Sequence, residues 1–354
     1  MRRGLLAWSP QEIAKSEFDR RLAVLRSRFD QAGVDVLLVY TNFARPAAIS
    51  YLTNVVLFWS EAMLVVPRTG DTTLVVGLPK RDMTVIRPTG CFDELVCDPD
   101  ARTALVTVLT EQGLLGQRIA ILDADSVPAP FAGAIEAAGG SLMTVDDILD
   151  TGNDDGSSAA LQVKAADIAR NALGASSIAL DRAASLVAMV ELNARLAGAE
   201  EVQVLIAPDL ARDKGLRRIE GPEGLGERFA ICVSVAYKGH WVRIGRTISR
   251  QAAPQSWSMA QAAIPAIADG LSAGTDATAQ IEQALGRLQA GQIDSWALEG
   301  QAGGSPLALL AHDKQALRGT TEGQLIVFSA WLDLPDGPYF AAATARVGQG
   351  LLAA

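Results

Sequence analysis

Two histidines, His240 and His312, are the only imidazoles in the 354-residue chain, and Cys91, Cys97 and Cys232 are its three thiols. An imidazole titrates near neutral pH and can take or return a proton. A thiol becomes a nucleophile once a neighbouring cation favours its thiolate. Cys232 lies in the apolar run Ala230-Ile231-Cys232-Val233, so it reads either as such a nucleophile or as an inert core residue. His240 follows Lys238-Gly239 and precedes Trp241, which leaves a general base or a surface histidine. Arg243 and Arg246 come next; a guanidinium grips carboxylate or phosphate with two hydrogen bonds, or else pairs with a nearby acid and is structural. No CxxC spacing occurs, which excludes a thiolate zinc site and implies no disulfide framework.

The elements that must carry these residues follow from periodicity and turn chemistry. Ser9, Pro10 and Glu12 read as a capping box opening a helix whose apolar face is Phe18, Leu22, Leu25 and Phe29, ended by Gly33. Residues 34–40 read as a buried strand, and 63–67 with 72–77 as a hairpin. Helices at about 102–112 and 128–138 alternate with strands at 118–123 and 141–145, which predicts a three-layer α/β domain over residues 1–150. The polar stretch 151–158 reads as a linker. From 159 to 354 the pattern is α+β: helices at about 159–175, 178–196 and 277–289, a strand at 202–207, a hairpin of 229–237 and 240–249, and a final strand pair of 324–331 and 339–347. The Gly221–Gly226 stretch lacks the strand–glycine–helix context of a nucleotide site and reads as a loop.

Composition narrows the function. A net charge of −9 argues against nucleic acid, and no apolar run approaches the roughly 20 residues of a membrane helix. Residues 1–12 contain no apolar signal core, so the sequence reads as cytoplasmic.

Several segments together resemble one family. Ala48-Ile49-Ser50-Tyr51-Leu52-Thr53-Asn54 resembles the NxRYLTG segment of prolidase and creatinase N-terminal domains. The run 163–170, Val-Lys-Ala-Ala-Asp-Ile-Ala-Arg, resembles the IKSxxEIxxxR helix that opens their catalytic domain, and 267–275 resembles a later helix exit. Residues 232–247 resemble DxGxxxxGYxxDxTRT, 304–313 resemble GHGxGxxxHE, and 323–330 resemble GMVFxIEP. The resemblance implies an α/β creatinase-like N-terminal domain followed by an α+β pita-bread domain, the fold of prolidases, methionine aminopeptidases and creatinases. Its ligands to two divalent metals would fall on Cys232, Arg243, Ser305 (or Gln301 on another slide), Ser329 or Ala330, and the 342–344 stretch. None of these is a carboxylate or histidine, and no Glu follows Glu322. The creatinase histidine upstream of the first Asp position has no counterpart in residues 211–218.

The expectation is therefore a metal-free and cofactor-free pita-bread homologue that is not a peptidase: a pseudoenzyme, a module for a small anion, or a partner subunit of an active relative. The alternative is a metal-independent hydrolase or lyase for a small amidine, amide or carboxylate. It would use His312, His240 or Cys232 as catalytic groups, with Arg243, Arg246, Ser305, Ser329 and Asp313 holding the substrate. Lys214 or Arg217 would add to the positive field, and the resemblance implies a homodimer.

Overall fold

The computed structural model describes residues 6–42, 46–146, 148–149, 156–175, 180–272, 274, 276, 279–280, 283, 293–300 (backbone only), 322–323 and 325–353. The chain packs as two units that part after Ser157.

In the first unit, β1 (Val36–Thr41), β2 (Ala62–Pro67), β3 (Thr73–Val76), β4 (Glu94–Cys97), β5 (Arg118–Leu122) and β6 (Ser141–Val145) form one sheet in the order β4-β3-β2-β1-β5-β6. Only β2 runs against its neighbours. One face is covered by the Lys15–Ser27 and Ala47–Thr53 helices, whose Leu25, Ile49 and Leu52 join Leu37, Leu64 and Val76. The other is covered by the Ala101–Glu111 and Ala129–Ala137 helices, through Leu105, Leu109 and Phe131. Burial on both faces explains why β1, β2 and β3 are continuous apolar runs. The three-layer expectation holds; the short strand β4 is an element that carries no periodicity of its own to announce it.

The first helix starts later than its capping-box pattern predicts. Ser9 to Ile13 form a separate turn, with the Ser9 carbonyl accepting from Glu12 and Ile13 N–H at 3.0 and 3.1 Å. Ala14 is extended (ψ 150°), and the helix begins at Lys15 with no side-chain cap. The Trp8 indole donates to the Ile13 carbonyl at 2.9 Å, which holds the turn closed and competes with helix extension.

One buried ion pair ties that helix to the Tyr51 segment. Arg21 Nε donates to Glu17 Oε1 at 2.8 Å, its Nη1 donates to the Tyr51 carbonyl at 2.8 Å, and its guanidinium lies 4.4 Å from the Tyr51 ring centre. Asn54 closes the segment in the left-handed region (φ 66°), where the family motif has glycine; asparagine tolerates that conformation better than most residues. Its side chain donates to the Thr89 carbonyl at 2.9 Å.

In the second unit the Ser157–Gly174 and Ala183–Leu196 helices come first. They are followed by β7 (Glu201–Ala207), β8 (Arg228–Tyr237), β9 (His240–Ser249), the Gln255–Asp269 helix, β10 (Ile293–Gly300), β11 (Leu325–Leu334), β12 (Gly337–Arg346) and β13 (Gly350–Ala353). The sheet order is β10-β11-β12-β9-β8-β7, with β13 beside β12, and every pairing is antiparallel. The expected hairpins appear within one to three residues of their predicted limits. The second helix begins at Ala183, later than 178, and the linker stretch yields its last two residues to the first. The helix expected at 277–289 lies largely outside the described residues.

The two hairpins repeat each other. The β8–β9 hairpin maps onto β11–β12 by a constant offset of 97 residues (228 to 325, 240 to 337), including strand lengths and turn. They meet at a single paired position, Gly245 with Ala342.

The Glu17 carboxylate accepts from Arg20, at 2.7 and 2.8 Å, and from Arg21, and these hydrogen bonds, Arg20 first, lower its pKa from 4.5 to about 2 against the opposing effect of burial. A lowered folded-state pKa gives stability that is complete above pH 4.5 and is lost as pH falls towards 2. Glu17→Gln should cost about 2 kcal/mol at pH 7. It should also flatten the loss of urea midpoint between pH 5 and pH 2.5 relative to wild type; an unchanged acid slope would refute the assignment.

Candidate functional site

Paired residues on neighbouring antiparallel strands project to the same face, and the face alternates with each residue. Ile326, Phe328, Ala330 and Leu332 of β11 and Tyr339, Ala341 and Ala343 of β12 pack against Trp257, Ile264 and Ile267 of the Gln255–Asp269 helix. The opposite face therefore carries Cys232, Ser234, Arg243, Gly245, Ser329, Phe340, Ala342 and Thr344. Its register gives two rows: Leu205–Cys232–Gly245–Ala342–Ser329 and Gln203–Ser234–Arg243.

Arg243 is buried, and its Nε donates to the Ser234 hydroxyl at 3.1 Å. Its backbone is held by Thr344, whose Oγ1 accepts from the Arg243 N–H and donates to the Arg243 carbonyl, both at 2.8 Å. Thr247, at the equivalent position of the other hairpin, does the same for Phe340: its Oγ1 donates to the Phe340 carbonyl at 2.9 Å and accepts from its N–H at 2.6 Å. Between these stitches a β-carbon on Gly245 would lie 2.4 Å from the Phe340 ring and 3.0 Å from the Ala342 nitrogen. Only glycine fits.

Cys232 is buried among Ala207, Leu210, Ala230, Phe340 and Ala342, an apolar setting of the kind an inert core thiol occupies. Ser329 occupies the position equivalent to Cys232 and shares its face, whereas Ala330 is turned into the helix-side core. Arg246 does not join Arg243. It is one residue past Gly245, so it emerges on the helix side, where its charge acts on Tyr339, whose hydroxyl burial pushes up to about 12. His240 pairs with Tyr237, also on the helix side, where Lys164 Nζ donates to the Tyr237 hydroxyl at 2.6 Å. The structure thus separates His240 from Cys232 and Arg243. Lys214 reaches Asp333 at 3.2 Å, and Arg217 reaches Asp213 and Glu223 at 3.1 and 2.9 Å, so these cations sit in exposed ion pairs. Ser305, His312, Asp313 and Gln301 lie outside the described residues. Gln203 belongs to the face and carried no sequence signal: its Oε1 is buried and has no hydrogen-bond partner among the described residues.

A sheet of two repeated antiparallel hairpins backed by helices, preceded by a mixed three-layer α/β unit, defines the pita-bread architecture of Xaa-Pro peptidase-like proteins. Residues 21–152 match the family model of the Creatinase/Prolidase N-terminal domain. Solved structures similar over nearly the whole chain include the prolidase from Pyrococcus horikoshii OT3 (14% identity, 95% of this chain and 98% of that one, TM-score 0.72). The Xaa-Pro dipeptidase from Bacillus anthracis gives 16% identity, 94% and 95% coverage and a TM-score of 0.67. The X-Pro aminopeptidase from Thermotoga maritima MSB8 gives 14%, 94%, 97% and 0.72. No curated protein sequence matches. At these identities the likeness establishes the pita-bread fold, and residues 21–152 carry a creatinase/prolidase N-terminal domain.

The donor set on the face does not fit the two divalent metals that the resemblance implies. Hard dications take carboxylate and imidazole donors. The described positions supply a thiol, a guanidinium, hydroxyls and a methyl group, and among the described residues no three His, Cys, Asp or Glu converge.

Thr344→Val would leave a buried N–H and a buried carbonyl of Arg243 without partners and should cost about 3 kcal/mol. Thr247→Val should cost a similar amount, and Thr→Ser at either position should retain most of the stability. Urea unfolding of the four variants checks this, and indifference to both valine changes would refute the stitching role.

Proposed function

We propose that this chain is a non-peptidase member of the pita-bread fold, working as a binding module for a small anion or as a partner subunit. One observation carries the reading: Arg243, which the motif resemblance sets on the position of a metal-binding aspartate, is a buried guanidinium on the sheet. A guanidinium stays protonated. At ligand distance it would oppose a dication by several kcal/mol even in a moderate dielectric. The same charge favours carboxylate or phosphate.

No helix among the described residues is long and apolar enough to cross a membrane. The Leu192 and Leu196 side chains stand exposed four residues apart on the Ala183–Leu196 helix, which supports assembly with a second pita-bread chain.

Calorimetric titration with Mn²⁺, Co²⁺ and Zn²⁺, followed by assay on Xaa-Pro dipeptides, should show no stoichiometric high-affinity metal and no turnover. Small carboxylates should raise the melting temperature of wild type and of Arg243→Lys more than that of Arg243→Met. Stoichiometric metal with dipeptide hydrolysis would sink the proposal.

A further inference from the structure

Residues 208–227 connect the paired strands β7 and β8, a task for which a hairpin needs only about two to five residues. The first half of this connection is a closed loop. Leu210 N–H donates to the Arg228 carbonyl at 2.9 Å, and Arg217 exchanges backbone hydrogen bonds with Ile206 at 2.9 and 3.1 Å, so both ends are fixed to the sheet. Between them the loop is shaped by its own aspartates: Asp209 Oδ1 accepts from Ala211 N–H at 3.0 Å, and Asp213 Oδ1 from Gly215 N–H at 2.6 Å.

The loop lies on the site face. Leu210 and Leu216 pack in the cluster of Cys232, Phe340 and Ala342. Lys214 Nζ donates to Asp333 Oδ1 at 3.2 Å, and alternation along β11 puts Asp333 on that same face, opposite Leu332 and Leu334. Three strands, β8, β9 and β12, stand between β7 and β11, so this ion pair closes the loop across the face. The Cys232 row beneath it adjoins the Arg243 row. The latch is light: its side chains are 37% and 47% exposed, and such a pair biases an equilibrium by about two- to fivefold. A lightly latched segment between two firm ends opens more readily than the sheet below it.

We propose that residues 211–216 form a lid over the site face, held shut by Lys214 and Asp333, and that its opening sets access to Cys232 and to Arg243. Control of Arg243 rests on the anion-binding reading above; control of Cys232 does not.

The test is the rate at which iodoacetamide alkylates each cysteine of the full chain, followed by peptide mass spectrometry, with Cys91 and Cys97 of the first unit as references. Lys214→Glu and Asp333→Lys should each speed alkylation of Cys232 by about fivefold, and the double variant, with the pair reversed, should return to within about twofold of wild type. Added salt should speed wild type, where attraction is screened, and slow either single variant, where repulsion is screened. Leu216→Ala should also speed Cys232, and amide exchange in β8 and β9 should stay at the wild-type rate in every variant.

An unchanged Cys232 rate in both charge reversals overturns the proposal, as does failure of the double variant to restore it. Acceleration matched by faster exchange throughout β8 and β9 would be unfolding of the second unit and overturns it too. Acetate should slow Cys232 alkylation in wild type. If it slows none of the proteins while the charge swap still governs Cys232, the anion reading falls and the lid stands; if acetate protects and the charge variants change nothing, the lid alone falls.

Discussion

The second unit depends on how two hairpins are joined where only one residue pair brings their backbones into register. At Gly245 and Ala342 the strands approach closely, and the Phe340 ring fills the space that any side chain on residue 245 would need. Two residues away on either side, the gap between strands is bridged by a threonine hydroxyl acting as donor and acceptor to the same opposite residue. The arrangement is two-fold: Thr247 and Thr344 are equivalent under the 97-residue offset, and so are their partners Phe340 and Arg243. Threonine suits the task because its branched β-carbon favours extended backbone while its oxygen reaches the neighbouring strand. Every side chain of the site face is placed by that join.

The symmetry of the backbone sharpens the asymmetry of the side chains. Equivalent positions hold Arg243 and Phe340, Cys232 and Ser329, Ser234 and Trp331. Towards β7 the face is polar, with Gln203, Ser234 and Arg243; towards β11 it is aromatic, with the Phe340 and Trp331 rings 5.0 Å apart. A face with a hydrogen-bonding half and an aromatic half suits a small amphipathic ligand. It is a poor cage for cations, because the described residues of the two halves do not offer matched donors across the seam.

Strand identity was legible because alternating and apolar runs are bounded by Lys238-Gly239, Gly33 and similar breakers, and those signals are local. What went astray required more than local information. The Ser9–Glu12 pattern has the right residues for a cap, yet the Trp8 indole secures a turn there, and nothing in the spacing reveals that competition. Arg246 and His240 lie close to Arg243 in sequence, but odd separations put them on the other face; counting parity from Cys232 would have found this. Thr247 was visible as the end of a motif, while its function depends on residue 340, ninety-three positions away. Gln203 matches no motif at all. Its only signal is an unsatisfied atom, which exists only in three dimensions.

The resemblance sets chelator positions on residues 232, 243, 329 and 342–344, and the lack of a carboxylate at all of them together has a physical logic. A face that kept several carboxylates without cations to bridge them would bring like charges together in a buried setting, raising their pKa values and opposing folding near neutral pH. One arginine among surviving carboxylates would collapse into ion pairs and close the face. Neutral hydroxyls at residues 329 and 344 and a thiol at 232 avoid both outcomes. The threonine stitches then hold the hairpins together with groups that neither titrate near neutrality nor need a metal. In this chain the seam between the hairpins is held by neutral hydrogen bonds, and Arg243 places a buried fixed charge on the same face.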